Sequence, residues 1–205
     1  LGVSLIRSVL VIVIGVSSGC AVSPPRNTDN ACQLFAEKPG WYDAVNDAAD
    51  SWDVSEGLIL SFIRQESSFV SDAKPPRVKI LGIIPGPRAS SAYGYPQAKD
   101  GTWSDYRQAT NSYLAVRDNF RDAADFVGWY VDRAHRIAGI SKSDAYRHYL
   151  AYHEGVGGFQ RGTFKSKRWL LGVAKRVRQT AKTYDTQLKS CREKIKSGSW
   201  WNPFK

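Results

Sequence analysis

Cysteine and histidine are scarce, three of each in 205 residues, and methionine is absent. That scarcity removes several chemistries. His148 and His153 lie five apart, not the four that set two ligands on one helical face. Cys20, Cys32 and Cys191 show no zinc-like spacing, so no metal site is expected. There is no glycine-rich phosphate loop, and no Ser or Cys stands in a nucleophile motif, so no cofactor is expected either. The apolar run at residues 9–16 is far shorter than the ~20 residues a membrane-spanning helix needs. Acids are few as well, 19 against 29 Lys and Arg, for a net charge of +10. Such a balance favours a polyanionic partner without choosing one.

What is present suits one globular domain: 42% hydrophobic and 12% aromatic residues can bury a sizeable core. Arg7, the short apolar run and the small residues after it read as a secretory signal over residues 1–19. Val16, Ser17, Ser18, Gly19 and Cys20 resemble a bacterial lipobox, in which the signal is cut before Cys20 and that cysteine takes the lipid. Ser17 stands where the lipobox prefers Leu, and the other reading is an ordinary signal cut near Gly19. Residues 20–31 then read as a tether, 32–196 as the domain and 197–205 as an aromatic tail. The expected place is the bacterial envelope, periplasmic side, held to a membrane by the lipid. Ala21 after Cys20 resembles an outer-membrane sorting signal. In an exported chain the two remaining cysteines, Cys32 and Cys191, predict a disulfide. Export also argues against a nucleic-acid partner, and a monomer is expected.

The domain reads as mainly α. A helix is predicted after Pro39 and Gly40, through Tyr42, Val45, Ala49 and Trp52. Asp53 and Glu56 suggest a capping box for a second helix over 54–66. Pro and Gly crowd the next stretch, and a short β-hairpin is predicted near 77–84 with its turn at Gly82. Thr102 and Asp105 suggest the cap of a short helix, and another is predicted over 118–138. Ser143 is expected to open one through Tyr146, Tyr149 and Tyr152, broken at Gly155, and a long C-terminal helix is predicted over 166–195.

One residue breaks its pattern. Ile59, Phe62 and Ile63 form an apolar helical stripe, and Glu66 occupies its next position. Periodicity leaves two readings: a polar residue at a fraying helix end, or a carboxyl held among apolar side chains. In the second, desolvation favours the protonated form, which a general acid needs near neutral pH.

Three blocks bear on the choice. Glu66-Ser67-Ser68-Phe69, then Ser91-Ala92-Tyr93-Gly94 with Gln97, Thr102 and Trp103, then Ala151-Tyr152-His153-Glu154-Gly155 follow in order. Together they resemble the lytic transglycosylase family with the soluble-transglycosylase, goose-lysozyme-like fold. The resemblance covers roughly half the chain. It implies a lysozyme-like α+β domain that cleaves the β-1,4 bond between N-acetylmuramic acid and N-acetylglucosamine in peptidoglycan strands. It implies that Glu66 protonates the leaving oxygen, then accepts the proton of the muramyl C6 hydroxyl, leaving a 1,6-anhydromuramyl end. Further, Ser91 would hydrogen-bond and orient Glu66, Gln97 would bond an N-acetyl sugar, Tyr152 would pack beside the acid and Tyr95 would face substrate. Tyr95-Pro96 replaces the family's Leu-Met, His153 replaces its Asn, and residues 74–88 are an insert.

Glu154 is the rival carboxylate. Facing Glu66 across a water it would make the protein a hydrolytic muramidase; the plainer reading is an exposed helix-end residue. Asp72 and Asp100 are loop carboxylates with the same two readings. A third possibility is a non-catalytic peptidoglycan-binding lipoprotein. Residues 161–182 carry eight Lys or Arg and no acid, a solvated helix face or a surface for anionic lipid or stem peptides.

Overall fold

A computed structural model describes residues 23–80 and 82–197. The signal segment, Cys20 and all but Ser197 of the aromatic tail lie outside the described residues. Mainly helical architecture, one small antiparallel sheet and a long C-terminal helix agree with the expected α+β class.

The chain opens with α1 (Ala31–Glu37), a helix the sequence pattern did not reveal. Seven residues are too few to show a period, and α1 depends on neighbours. Asn30 caps it by accepting from Gln33 N–H, Gln187 accepts from Ala31 N–H, and a disulfide ties Cys32 to Cys191 with Cα atoms 6.1 Å apart. In α2 (Pro39–Trp52), Pro39 is inside the first turn rather than before it, where its missing N–H costs nothing.

The expected capping box is not formed. Asp53 ends α2 in the left-handed region, and Ser55 caps α3 (Glu56–Ser67) by accepting from Leu58 N–H at 3.1 Å. Helix α3 is buried on every side from Glu56 to Ile63, so it is the central element and not an amphipathic surface helix. Gly57 lets it touch the last helix: a Cβ there would stand 2.4 Å from the Ala181 carbonyl oxygen. The same approach lets the Asp185 carboxylate accept Gly57 N–H at 2.9 Å.

Strands β1 (Arg77–Ile80) and β2 (Ile84–Arg88) form the antiparallel hairpin, pairing Ile80 with Ile84 and Arg77 with Arg88. Gly82 turns it at φ +78°. The second strand runs on past residue 84, and it tolerates Pro85 and Pro87 because a two-stranded sheet has only edge strands.

Helix α4 (Asp100–Thr110) starts two residues before Thr102, with Lys99 as N-cap. Asn119, not Asp118, caps α5 (Phe120–Ala138), and Asp144, not Ser143, caps α6 (Ala145–Glu154). After α7 (Val156–Arg161) and a 3₁₀ turn (Thr163–Ser166) comes α8 (Arg168–Lys196). Helix α5 covers α2, while α8 packs along α3 and α6. A second packing centre is aromatic: Trp41 stacks on Phe120 with centroids 3.8 Å apart, edged by Phe69 and Tyr95.

Candidate active site

The ending of α3 is explained by its turn. Ser67 Oγ donates back to the Ile63 carbonyl at 3.1 Å, so Ser67 finishes the helix locally. Ser68 and Phe69 then take φ +50° and +63°. Two successive left-handed residues without glycine are costly and persist only where packing enforces them. Phe69, fully buried against Trp41, is the anchor. This abrupt stop leaves Glu66, in the last turn of α3, at the edge of an open cleft of about 370 Å³.

Glu66 shares that cleft with Gln97, Phe126, Tyr130, Tyr152 and Glu154. Burial pushes its carboxyl up to about 7, and the hydrogen bond from Tyr149 pulls the other way. The Tyr149 hydroxyl donates to Glu66 Oε1 at 2.9 Å. Burial and the neighbouring carboxylate raise the Tyr149 phenol well above its ordinary range, so it stays protonated and remains a donor. Phe62, one turn before Glu66, meets Tyr149 and Tyr152 edge-on at 5.4 and 5.2 Å. The carboxyl thus has one polar partner and an aromatic floor.

The expected substrate-side residues divide. Tyr152 lies in the cleft beside Glu66, and its hydroxyl donates to the Pro96 carbonyl at 2.6 Å, so it also braces the second block. Gln97 lines the cleft at φ +48°, and its amide nitrogen donates to the Ala73 and Gly94 carbonyls at 2.8 and 2.9 Å. Those bonds orient its amide. Ser91 does not bond Glu66. Its Oγ accepts Asp100 N–H at 3.2 Å and supplies the start of α4 with the side-chain cap Lys99 lacks. Tyr95 does not face substrate: it is 1% exposed and packs edge-on against Trp41 and Phe120. Its aromatic ring fills core that a polar contact would have to leave open.

Two glycines of the blocks are required by backbone geometry. Gly94, at φ +75°, sits where a Cβ would meet the Arg117 carbonyl oxygen at 2.2 Å. Gly155, at φ +74° and ψ 153°, occupies a region almost closed to other residues and lets α6 turn directly into α7.

Glu154 is not the exposed helix-end residue of the plainer reading. Its side chain is 4% exposed and faces the cleft. Lys167 Nζ donates to Oε1 at 2.7 Å, His153 Nδ1 meets the same oxygen at 3.0 Å, and the Thr163 hydroxyl donates to Oε2. These bonds, that from Lys167 first, hold the carboxyl down at about 2. The cleft therefore holds two carboxyls pushed in opposite directions, one about half protonated at pH 7 and one ionised there. Asp100 pairs with Arg117 at 2.8 Å, and neither it nor Asp72 lines the cleft. No cluster able to hold a metal ion occurs among the described residues.

Tyr149, Phe126 and Tyr130 are site residues the motif reading missed. Tyr149 carries a weak signal in the sequence, since it precedes Tyr152 by three and shares its helical face.

A mainly helical domain with a protonatable glutamate ending a buried helix, beside a cleft walled by the loop before α4, by aromatic side chains of α5 and by the end of α6, defines a lysozyme-like class of protein. The family described as transglycosylase SLT domain matches residues 8–191, and the chain belongs to that family. A transglycosylase-type role acting on peptidoglycan follows in general terms. None of the curated proteins compared with the chain matches it.

Proposed function

We propose that the protein is a lytic transglycosylase that cleaves the MurNAc-GlcNAc β-1,4 bond of peptidoglycan with Glu66 as its only acid and base. The observation that carries the reading is the contrast between the two cleft carboxyls. Burial raises Glu66 to about 7, so about half of the molecules hold its proton at neutral pH and most hold it below that. Glu154 has both oxygens engaged by three donors, and its carboxylate, held down at about 2, is a weak base toward water. A hydrolase of the usual kind needs a second carboxylate to activate water or attack carbon. Here that role falls to the substrate.

Glu66 gives its proton to the glycosidic oxygen as the C1–O4 bond breaks, and O4 keeps the bonding pair. The C6 hydroxyl of the same muramyl ring attacks C1, and its proton passes to the Glu66 carboxylate. The glutamate ends as it began, and no water is consumed. Because the nucleophile is attached, the step gains the large effective molarity of an intramolecular reaction. Tyr149 steadies the carboxylate between the two transfers. The Gln97 amide oxygen, its nitrogen already committed, is set to accept an N-acetyl N–H. Consistent with this substrate, we place the protein in the bacterial envelope, anchored through lipidated Cys20.

Glu154→Gln tests the assignment. Turnover of purified sacculi should fall by less than about tenfold, and the released muropeptides should keep anhydro ends by mass. A loss of several orders of magnitude, or reducing ends in the wild-type digest, would instead make Glu154 the water-activating base of a muramidase.

A second expectation concerns pH. The acid must be protonated at the start, so activity should fall as pH rises through about 7. Tyr149→Phe removes the bond that favours the carboxylate, so the alkaline limb of the kcat/KM profile should move to higher pH. A limb that stays in place would assign it to another group.

A further inference from the structure

His153 and Glu154 form one rim of the cleft, and the start of α8 packs against that rim. Lys167, whose ammonium pairs with Glu154, is the N-cap of α8, and Trp169 stands two residues on. The Trp169 ring meets His153 edge-on, with centroids 5.1 Å apart at 79°, and His153 lines the cleft. Leu170, fully buried, pins the start of the helix from beneath, yet Trp169 is left 59% exposed. It is the exposed one among the described tryptophans: Trp103 and Trp129 are buried, and Trp41 and Trp52 pack partly covered on the core.

An indole left in water forfeits the gain from burying a large apolar face. A ring that continues the wall of a ligand cleft recovers that gain when the ligand covers it. We propose that Trp169 is a stacking platform for a pyranose ring of the glycan strand, beyond the two sugars that flank Glu66. The inference rests on the glycan-cleaving reading above. One face of a pyranose carries axial C–H bonds, apolar and slightly positive, which suit the electron-rich indole face while the hydroxyls stay in water. The charge nearby fits a strand bearing carboxylated peptides: residues 155–184 contain no acid, and Lys165, Arg168 and Lys175 are exposed. The platform holds the strand in register and takes no part in proton transfer.

The full chain carrying Glu66→Gln binds without consuming its ligand. In that background Trp169→Ala should weaken cosedimentation with purified sacculi about tenfold, and Trp169→Phe should restore most of it. In the active chain Trp169→Ala should raise KM for long glycan strands about tenfold, keep kcat within about twofold, and leave the shortest cleavable fragment unaffected. An unchanged KM on long strands, or an equal fall on the shortest fragment, overturns the platform. So does weaker binding to anionic phospholipid vesicles with sacculus binding intact, which would assign the ring to a bilayer. If the wild type binds sacculi through Trp169 but releases nothing, the platform stands and the glycan-cleaving reading falls. If it does neither, both fall.

Discussion

Glu66→Gln is expected to lower release of soluble fragments from sacculi by about 10³-fold or more, with fold and sacculus binding intact. The amide has nearly the shape of the protonated acid, and its oxygen can still accept the Tyr149 hydroxyl. What it lacks is a transferable proton, and Glu154 cannot supply one because it is already ionised and held by Lys167. The fold should not suffer. A carboxyl raised to about 7 by burial favours the folded state while neutral, an advantage lost as pH rises from its unfolded value through 7. Glutamine stays neutral throughout, so above pH 7 the variant should melt at or above the wild-type temperature. Unfolding, or near-normal product release, would remove Glu66 from its role.

Replacing both Cys32 and Cys191 by Ser is expected to have the largest effect on stability. The bond closes a separation of 159 residues between α1 and α8. The chain-entropy model puts its worth at roughly 5 kcal/mol as a ceiling, and ~3 kcal/mol is a reasonable expectation. For a domain of this size that corresponds to a fall in melting temperature of ~10 °C. Helix α1 should loosen first, because seven residues do not hold a helix alone; without the bond it keeps the burial of Ala31, Leu34 and Phe35 and the Ala31 N–H bond to Gln187. Below the transition, turnover should be unchanged, since Cys191 lies about 36 Å by helical rise from Lys167 at the cleft end of α8. Calorimetry with and without the bond checks the first claim, and sacculus digestion at low temperature checks the second.

The position of Glu66 was legible in the sequence because two signals coincide there, an apolar stripe and a block of motif residues. Helices α1 and α7 are too short to show a period, while the longer helices were legible from period alone, as in α5 and α8. Their boundaries were not. Asp53 and Ser55 are both good capping residues, and only the left-handed turn at Asp53 gives the cap to Ser55. Ser91 has the same difficulty, since its hydroxyl suits Glu66 or the start of α4 equally until the loop is placed. Tyr95 stands inside a motif block, yet its aromatic neighbours Trp41 and Phe120 come from distant segments. Glu154 is the most instructive case. Nothing adjacent to it announces that Lys167, thirteen residues on, folds back to neutralise it, and that contact separates a free base from a locked one.

The central claim is that the substrate's own C6 hydroxyl, and not water, ends the reaction. Digesting purified sacculi with the full-length protein in ¹⁸O-water and weighing the released muropeptides tests it most directly. Anhydro ends without heavy oxygen are the predicted result; reducing ends carrying one ¹⁸O would contradict it.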